Sequence, residues 1–361
     1  MAETTRWRPV GRLRPGDPHE VAGFEVAGRL GEGGMGVVYL ADHPDLGRAA
    51  LKLVRDGAVD ASFRARFRRE VAAAERVRSP RVAEVLAADP DAATPWLATA
   101  FVDGPTVAEA VDTSSPMTGD RLVALAVALA DALAAIHRVD VVHRDLKPAN
   151  ILLTPETPVV IDFGIAALRE APALTRTGVA VGTPGWMAPE QVRGLPCGPP
   201  ADVFAWALVV AFAASGRPVF GRGPADALFY RIVHEPPDVP DLPPELAGPV
   251  RAALDKDPAA RPGVAHLLAD LKRLTRARRT TPPLAPFPAA CLAHETPAHL
   301  DQSEAVFQAL AQFLHDSLAA ERVTLAGAVR IVLHLLADLC AMLTHQYGHT
   351  AAEVEARIDR L

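Results

Sequence analysis

Cysteine is scarce in this chain of 361 residues: Cys197, Cys291 and Cys340 are an odd number at wide spacing. That argues against a disulfide framework and suits free thiols in a reducing compartment. Long apolar runs are also missing. Leu122 to Ile136, Val203 to Ala214 and Ile331 to Leu343 are the longest, each shorter than the roughly 20 residues a membrane span needs. Asp131 and Asp338 interrupt the first and third. The opening Met-Ala-Glu-Thr-Thr-Arg-Trp-Arg-Pro has no apolar core of a secretory signal. There is no basic surplus either, the formal net charge being -6, so no nucleic-acid partner is expected. These absences lead to the expectation of a cytoplasmic protein with no membrane anchor.

What is present is the balance of a soluble globular protein, 50% apolar and 22% charged, with 33 prolines that imply irregular or linker segments. The length suits one large domain or two to three smaller ones. Residues 1–20 are polar and proline-containing and read as a flexible leader. From Phe24 an alternating apolar pattern leads into Gly31-Glu32-Gly33-Gly34-Met35-Gly36-Val37-Val38. This glycine-rich turn between two strand-like runs lets backbone amides approach phosphate oxygens. By itself it also fits an ordinary glycine-rich hairpin. A dinucleotide-binding turn is disfavoured, because a β-rich run and not a helix follows the third glycine.

Lys52 stands alone among apolar neighbours in Ala49-Ala50-Leu51-Lys52-Leu53-Val54, a strand-like run. Residues 62–78 read as a helix with Phe63, Phe67, Val71 and Ala74 on one face, and Glu70 on it is the natural partner of Lys52. Its arginines, Arg64, Arg66, Arg68 and Arg69, read as a solvated face or, for one of them, as a contact to a loop phosphate. Strand-like runs at 82–87 and 96–101 end at a hinge, Val102-Asp103-Gly104-Pro105, and a long buried helix is expected over 119–138.

The densest chemistry follows, in His143-Arg144-Asp145-Leu146-Lys147-Pro148-Ala149-Asn150. An acid, a lysine two residues on and an amide five residues on can orient a hydroxyl, neutralise a transferring phosphate and hold a metal. Asp162-Phe163-Gly164 and Met187-Ala188-Pro189-Glu190 come next, and between them lies a polar stretch with Thr175 and Thr177.

Taken in order, these motifs resemble the eukaryotic-like serine/threonine protein kinases of bacteria, over residues 24–275. The resemblance implies an α+β, two-lobed kinase fold: a domain at 21–275, with a β-rich lobe at 21–102 and an α-rich lobe at 105–275. A Pro-rich linker at 276–298 and a helical segment at 299–361 would follow. It further implies that Asp145 accepts the substrate hydroxyl's proton and Lys147 steadies the transferring phosphoryl group. By the same resemblance Lys52 would grip the α- and β-phosphates with Glu70 beside it, and Asn150 and Asp162 would hold Mg2+ or Mn2+. ATP would be lined by Gly31, Gly33, Gly36, Val38, Ala50, Lys52, Thr99, Phe101 and Val102. Thr175 and Thr177 are expected autophosphorylation sites that pair with Arg144, and Thr183 shapes the substrate loop. His143 is expected to pack and not to act as a base. Asp202 is expected to brace the catalytic loop, and Arg261 to pair with Glu190, both as supports. Thr99-Ala100-Phe101 replaces the more usual large residue and Glu at the hinge.

Protein substrates are the expected partners, and homodimerisation through the apolar C-terminal helix is a further hypothesis. A small-molecule phosphotransferase and a scaffold acting through its C-terminal helices are the alternatives. A zinc set drawn from Cys291, His294, His299, His345 and His349 fits no complete ligand spacing.

Overall fold

The computed structural model describes residues 10–33, 36–54, 60–162 and 184–280. The chain divides into a unit at 1–280 and a second at 281–361. The second unit, the expected linker from 281 and helical segment, and the residues of the zinc hypothesis lie outside the described residues.

The N-terminal lobe is a six-stranded antiparallel sheet in the order β1-β2-β3-β4-β6-β5. Its strands are β1 (Glu20–Val21), β2 (Phe24–Gly33), β3 (Gly36–His43), β4 (Gly47–Val54), β5 (Val85–Asp89) and β6 (Trp96–Ala100). Register sets the lobe's two faces, because directly opposed residues of antiparallel strands point the same way. Val38 opposes Lys52, and Ala50 opposes Thr99. The face that carries them continues into Val54 and Leu97, which pack on Phe63, Phe67 and Val71 of helix α1 (Ala61–Ala74). The opposite face joins Phe24, Val26, Tyr39, Ala41, Ala49, Leu51, Trp96 and Ala98 in a core of its own.

Helix α1 starts where Asp60 accepts the Phe63 N–H at 2.7 Å. Its arginines are not simply a solvated face. Arg64 donates to the carbonyls of Pro90 and Ala92 at 2.9 and 2.7 Å, and Arg68 pairs with Asp91 at 2.6 Å. They anchor the helix to the β5–β6 turn.

The lobes are joined by residues 101–105. A β-carbon at Gly104 would overlap the Leu153 carbonyl oxygen, so only glycine lets the connection pass so close to the lower lobe. Helix α2 (Val107–Thr113) then opens with a capping box in which Thr106 and Glu109 satisfy each other's backbone N–H groups. The C-terminal lobe is built on α3 (Gly119–His137), the short hairpin of β7 (Ile151–Leu153) and β8 (Pro158–Val160), and helices α4 (Pro189–Val192), α5 (Pro199–Ser215), α6 (Ala225–His234), α7 (Pro244–Ala253) and α8 (Val264–Thr280). Every residue of α5 from Ala201 to Ala213 is buried. A helix apolar all round needs neighbours on every side, and α3, α7 and α8 supply them. Trp206 is fully buried, its indole N–H donating to the Ala126 carbonyl of α3 at 2.9 Å.

Two boundaries differ from expectation. The leader is part of the lobe from residue 10, since Gly11 and Arg29 exchange backbone hydrogen bonds at 2.8 and 2.9 Å and Asp17 is held by Arg29. Helix α8 runs on to Thr280, past the boundary expected at 275. No helix among the described residues is long and apolar enough to cross a membrane.

Candidate active site

The loop between α3 and β7 is held from below by one buried carboxylate. Asp202, with no exposed surface, accepts the backbone N–H groups of His143 and Arg144 at 2.7 and 2.8 Å. Its Oδ2 also lies 2.7 Å from His137 Nε2. These bonds over-determine the turn: Arg144 sits in the left-handed region at φ 63°, a conformation that costs a non-glycine residue about 1–3 kcal/mol. His143 is buried completely, and that burial holds its imidazole below the ordinary histidine range, against Asp202 and Asp145. It is therefore neutral at pH 7 and serves the fold.

On this turn Lys147 Nζ lies 2.7 Å from Asp145 Oδ2. Asn150 Nδ2 donates to the Asp145 carbonyl at 2.9 Å and to its Oδ2 at 3.3 Å. Asn150 is reached through a short 3-10 turn, Pro148–Asn150, and its backbone carbonyl accepts the Ile161 N–H at 2.9 Å. That bond sets Asp162 two residues beyond the end of β8. Asp162 also has left-handed backbone, φ 58°, and receives Lys52 Nζ at 3.2 Å from the upper lobe. The site thus draws together β4, the catalytic turn and the end of β8.

The expected pairing of Lys52 with Glu70 is not made in this arrangement. Lys52 faces Asp162, while Glu70 on α1 faces Arg144 at 3.8 Å. Burial raises the Glu70 carboxyl to about 7, with Arg144, Arg66 and Arg69 drawing it partly back. Its Oε2 is buried with no hydrogen-bond partner among the described residues.

Val38, Ala50, Lys52 and Thr99 share one sheet face, as the expected nucleotide lining requires. Phe101 and Val102 follow on the inter-lobe connection, Phe101 N–H donating to the Arg48 carbonyl at 3.1 Å. Gly31 and Gly33 would meet nothing within 4 Å if they carried a β-carbon, so the end of β2 is open on the side their β-carbons would take. At Gly36 a β-carbon would overlap the Leu53 carbonyl, so the return strand needs glycine there. The residues present fit a nucleotide with a divalent cation: backbone amides and a lysine for phosphates, and the carboxylate and amide oxygens of Asp162 and Asn150 as hard ligands. Among the described residues there is no group of three His, Cys, Asp or Glu arranged for a metal. Thr175, Thr177 and Thr183 lie outside the described residues.

Below the site, Arg261 and Glu190 form the expected buried pair, fork on fork at 2.7 and 2.8 Å. Arg261 also donates to the carbonyls of Asp255 and Pro200 at 2.8 and 2.9 Å.

A β-rich lobe joined to a helical one, with Lys52 of the first meeting Asp162 of the second and Asp145 on a neighbouring turn paired with Lys147, defines the two-lobed protein kinase fold. The chain belongs to the protein kinase family, whose protein kinase domain matches residues 24–272. Among curated proteins it is 43% identical over 260 residues to "Probable serine/threonine-protein kinase PkwA" of Thermomonospora curvata, covering 72% of this chain and 35% of that one. It is 44% identical over 265 residues to "Serine/threonine-protein kinase AfsK" of Streptomyces coelicolor, covering 73% and 33%. To AfsK of Streptomyces griseus it is 45% identical over 259 residues, covering 70% and 32%. The chain thus spans about a third of the length of these relatives, and the similarity supports reading it with the serine/threonine group.

Proposed function

We propose that this protein is an ATP-dependent serine/threonine protein kinase that also phosphorylates its own activation loop. The observation that carries the reading is the convergence of Asp145, Lys147 and Asn150 on one braced turn, with Lys52 reaching Asp162 across the cleft.

In this mechanism Asp145 orients the serine or threonine hydroxyl and takes its proton as the oxygen bonds to the γ-phosphorus. The bond from that phosphorus to the bridging oxygen breaks, and its electron pair leaves with ADP. Lys147, beside Asp145, offsets charge on the moving phosphoryl group. Lys52 holds the α- and β-phosphates, and the backbone of the Gly31–Gly36 turn covers them. Asn150 and Asp162 would hold Mg2+ or Mn2+, which supplies charge neutralisation at the phosphates when bound. Val38, Ala50, Thr99, Phe101 and Val102 line the adenine.

Control fits the Glu70–Arg144 contact. Phosphate on Thr175 or Thr177 would draw Arg144 away, freeing Glu70 for Lys52. Protein substrates, with Thr183 shaping their loop, a cytoplasmic setting and homodimerisation through the C-terminal segment belong to the same proposal. The test is phosphorylation mapping by mass spectrometry of the full chain with ATP and magnesium, beside Asp145→Asn. Phosphoserine or phosphothreonine in the parent alone is expected. An unmodified parent that still binds ATP would turn attention to a catalytically weak scaffold.

A further inference from the structure

The outer surface of the glycine-rich hairpin carries a ladder of charges that the catalytic reading leaves unused. Asp17, from the segment expected to be a leader, is buried to 5% side-chain exposure. It accepts Arg29 Nε at 2.7 Å and Nη2 at 2.5 Å, the Tyr39 hydroxyl at 2.8 Å and the Arg14 backbone N–H at 2.7 Å. Arg29 then reaches Glu32 Oε2 with Nη1 at 3.0 Å, and Arg14 reaches the same oxygen at 3.0 Å. The Asp17 carboxyl is held well below the usual carboxylate range, chiefly by Arg29, so the ladder's inner anchor stays charged.

Register explains why these groups meet. Gly31 opposes Val38, the cleft-facing residue, whereas Glu32 opposes Val37 and Arg29 opposes Tyr39 on the outer face. In an unbroken strand residues three apart point to opposite faces. The irregularity between Arg29 and Gly31 inserts the extra residue that puts Arg29 and Glu32 on the same side. The N-terminal segment lies on that side as well: a β-carbon at Gly28 would overlap Val10 and the Gly11 carbonyl.

We infer that Arg14 and Arg29, held by Asp17, are positioning residues for the nucleotide: they neutralise Glu32 and keep its carboxylate on the outer face of the phosphate-covering turn. A carboxylate within that turn repels a triphosphate at short range unless it is compensated. The strap at residues 10–17 therefore tunes affinity for phosphates without touching them. This rests on the ATP reading proposed above.

The experiment is nucleotide affinity of the full chain at low ionic strength, measured by displacement of a fluorescent ATP analogue with magnesium ATP and, separately, with adenosine. Arg14 is well exposed, so Arg14→Ala should fold normally. It is expected to weaken ATP about threefold, the scale of one exposed ion pair, and to leave adenosine unchanged. Glu32→Gln should make Arg14 dispensable, so that Arg14→Ala/Glu32→Gln binds ATP as Glu32→Gln does. A role confined to stability would move ATP and adenosine together, and that result overturns the inference. So would an Arg14→Ala protein with parental ATP affinity, or the same loss persisting in the Glu32→Gln background. If the folded parent binds no ATP at all, the nucleotide reading itself fails and the ladder with it. A parent that binds ATP but ignores Arg14 removes only the ladder.

Discussion

Replacing Glu70 by Gln should stabilise the protein at pH 8 and do little for it near pH 4.5. Burial lifts the Glu70 carboxyl from 4.5 to about 7. The folded value lies above the unfolded one, so between those pH values the folded protein binds more protons than the unfolded chain, and stability falls as pH rises. Below about 4.5 the group is neutral in both states and adds no penalty; above about 7 the penalty is complete. That displacement corresponds to about 3 kcal/mol at full strength. Glu70 keeps 23% of its side-chain exposure, and solvent screening reduces the figure to about 2 kcal/mol. Gln cannot titrate, so the advantage of Glu70→Gln over the parent should grow by about 1 kcal/mol or more between pH 5.5 and pH 8.0. Urea unfolding followed by tryptophan fluorescence at the two pH values measures it. Phosphoryl transfer should slow in the same variant, because Lys52 loses its partner in the active arrangement. An advantage of equal size at both pH values would refute the reasoning, since it would mean that Glu70 is not held as a buried, proton-retaining acid.

Three further outcomes follow from the packing. Glu190→Ala leaves the Arg261 guanidinium charged and buried, and should cost about 3–5 kcal/mol in urea unfolding; Glu190→Ala/Arg261→Met should recover much of that loss, and failure to recover would argue against a charge effect. Trp206→Ala removes the largest fully buried side chain of α5 and should cost about 3–5 kcal/mol; a cost below about 1 kcal/mol would show that α5 is not the lobe's central support. Gly104→Ala forces the inter-lobe connection away from Leu153 and should destabilise by about 1–3 kcal/mol, with weaker ATP binding as the lobes shift; unchanged stability would mean that the close approach is relaxed.

The parts legible in the sequence were those written in local order. The His143–Asn150 turn, Asp162, the glycine-rich hairpin and the all-apolar α5 announce themselves because each needs particular residue types at fixed spacing. The Arg261–Glu190 and Asp202 supports were reached through family resemblance, and the geometry agrees with both. What escaped was tertiary. Whether Lys52 meets Glu70 or Asp162 depends on how α1 is set against the sheet, and no spacing encodes that. The segment at 10–17 fell within the expected flexible leader because residues 1–20 are polar and proline-containing, yet Asp17 is bound by an arginine twelve residues on. No helix was expected over 107–113, although Thr106-x-x-Glu109 has the pattern of the capping box that opens α2. The domain boundary was expected at 275, short of the end of α8 at Thr280, because arginines and threonines after Leu274 resemble a linker as much as a last helical turn.

The central claim is that Asp145 accepts the hydroxyl proton while the nucleotide is held by other groups. The most direct measurement is the rate of phosphoryl transfer at saturating magnesium ATP, set beside ATP affinity, for the parent and Asp145→Asn. The account predicts a loss in kcat of about 10²–10⁴-fold, the scale of a removed general base, with ATP affinity within about twofold of the parent. A variant that retains parental kcat would contradict it.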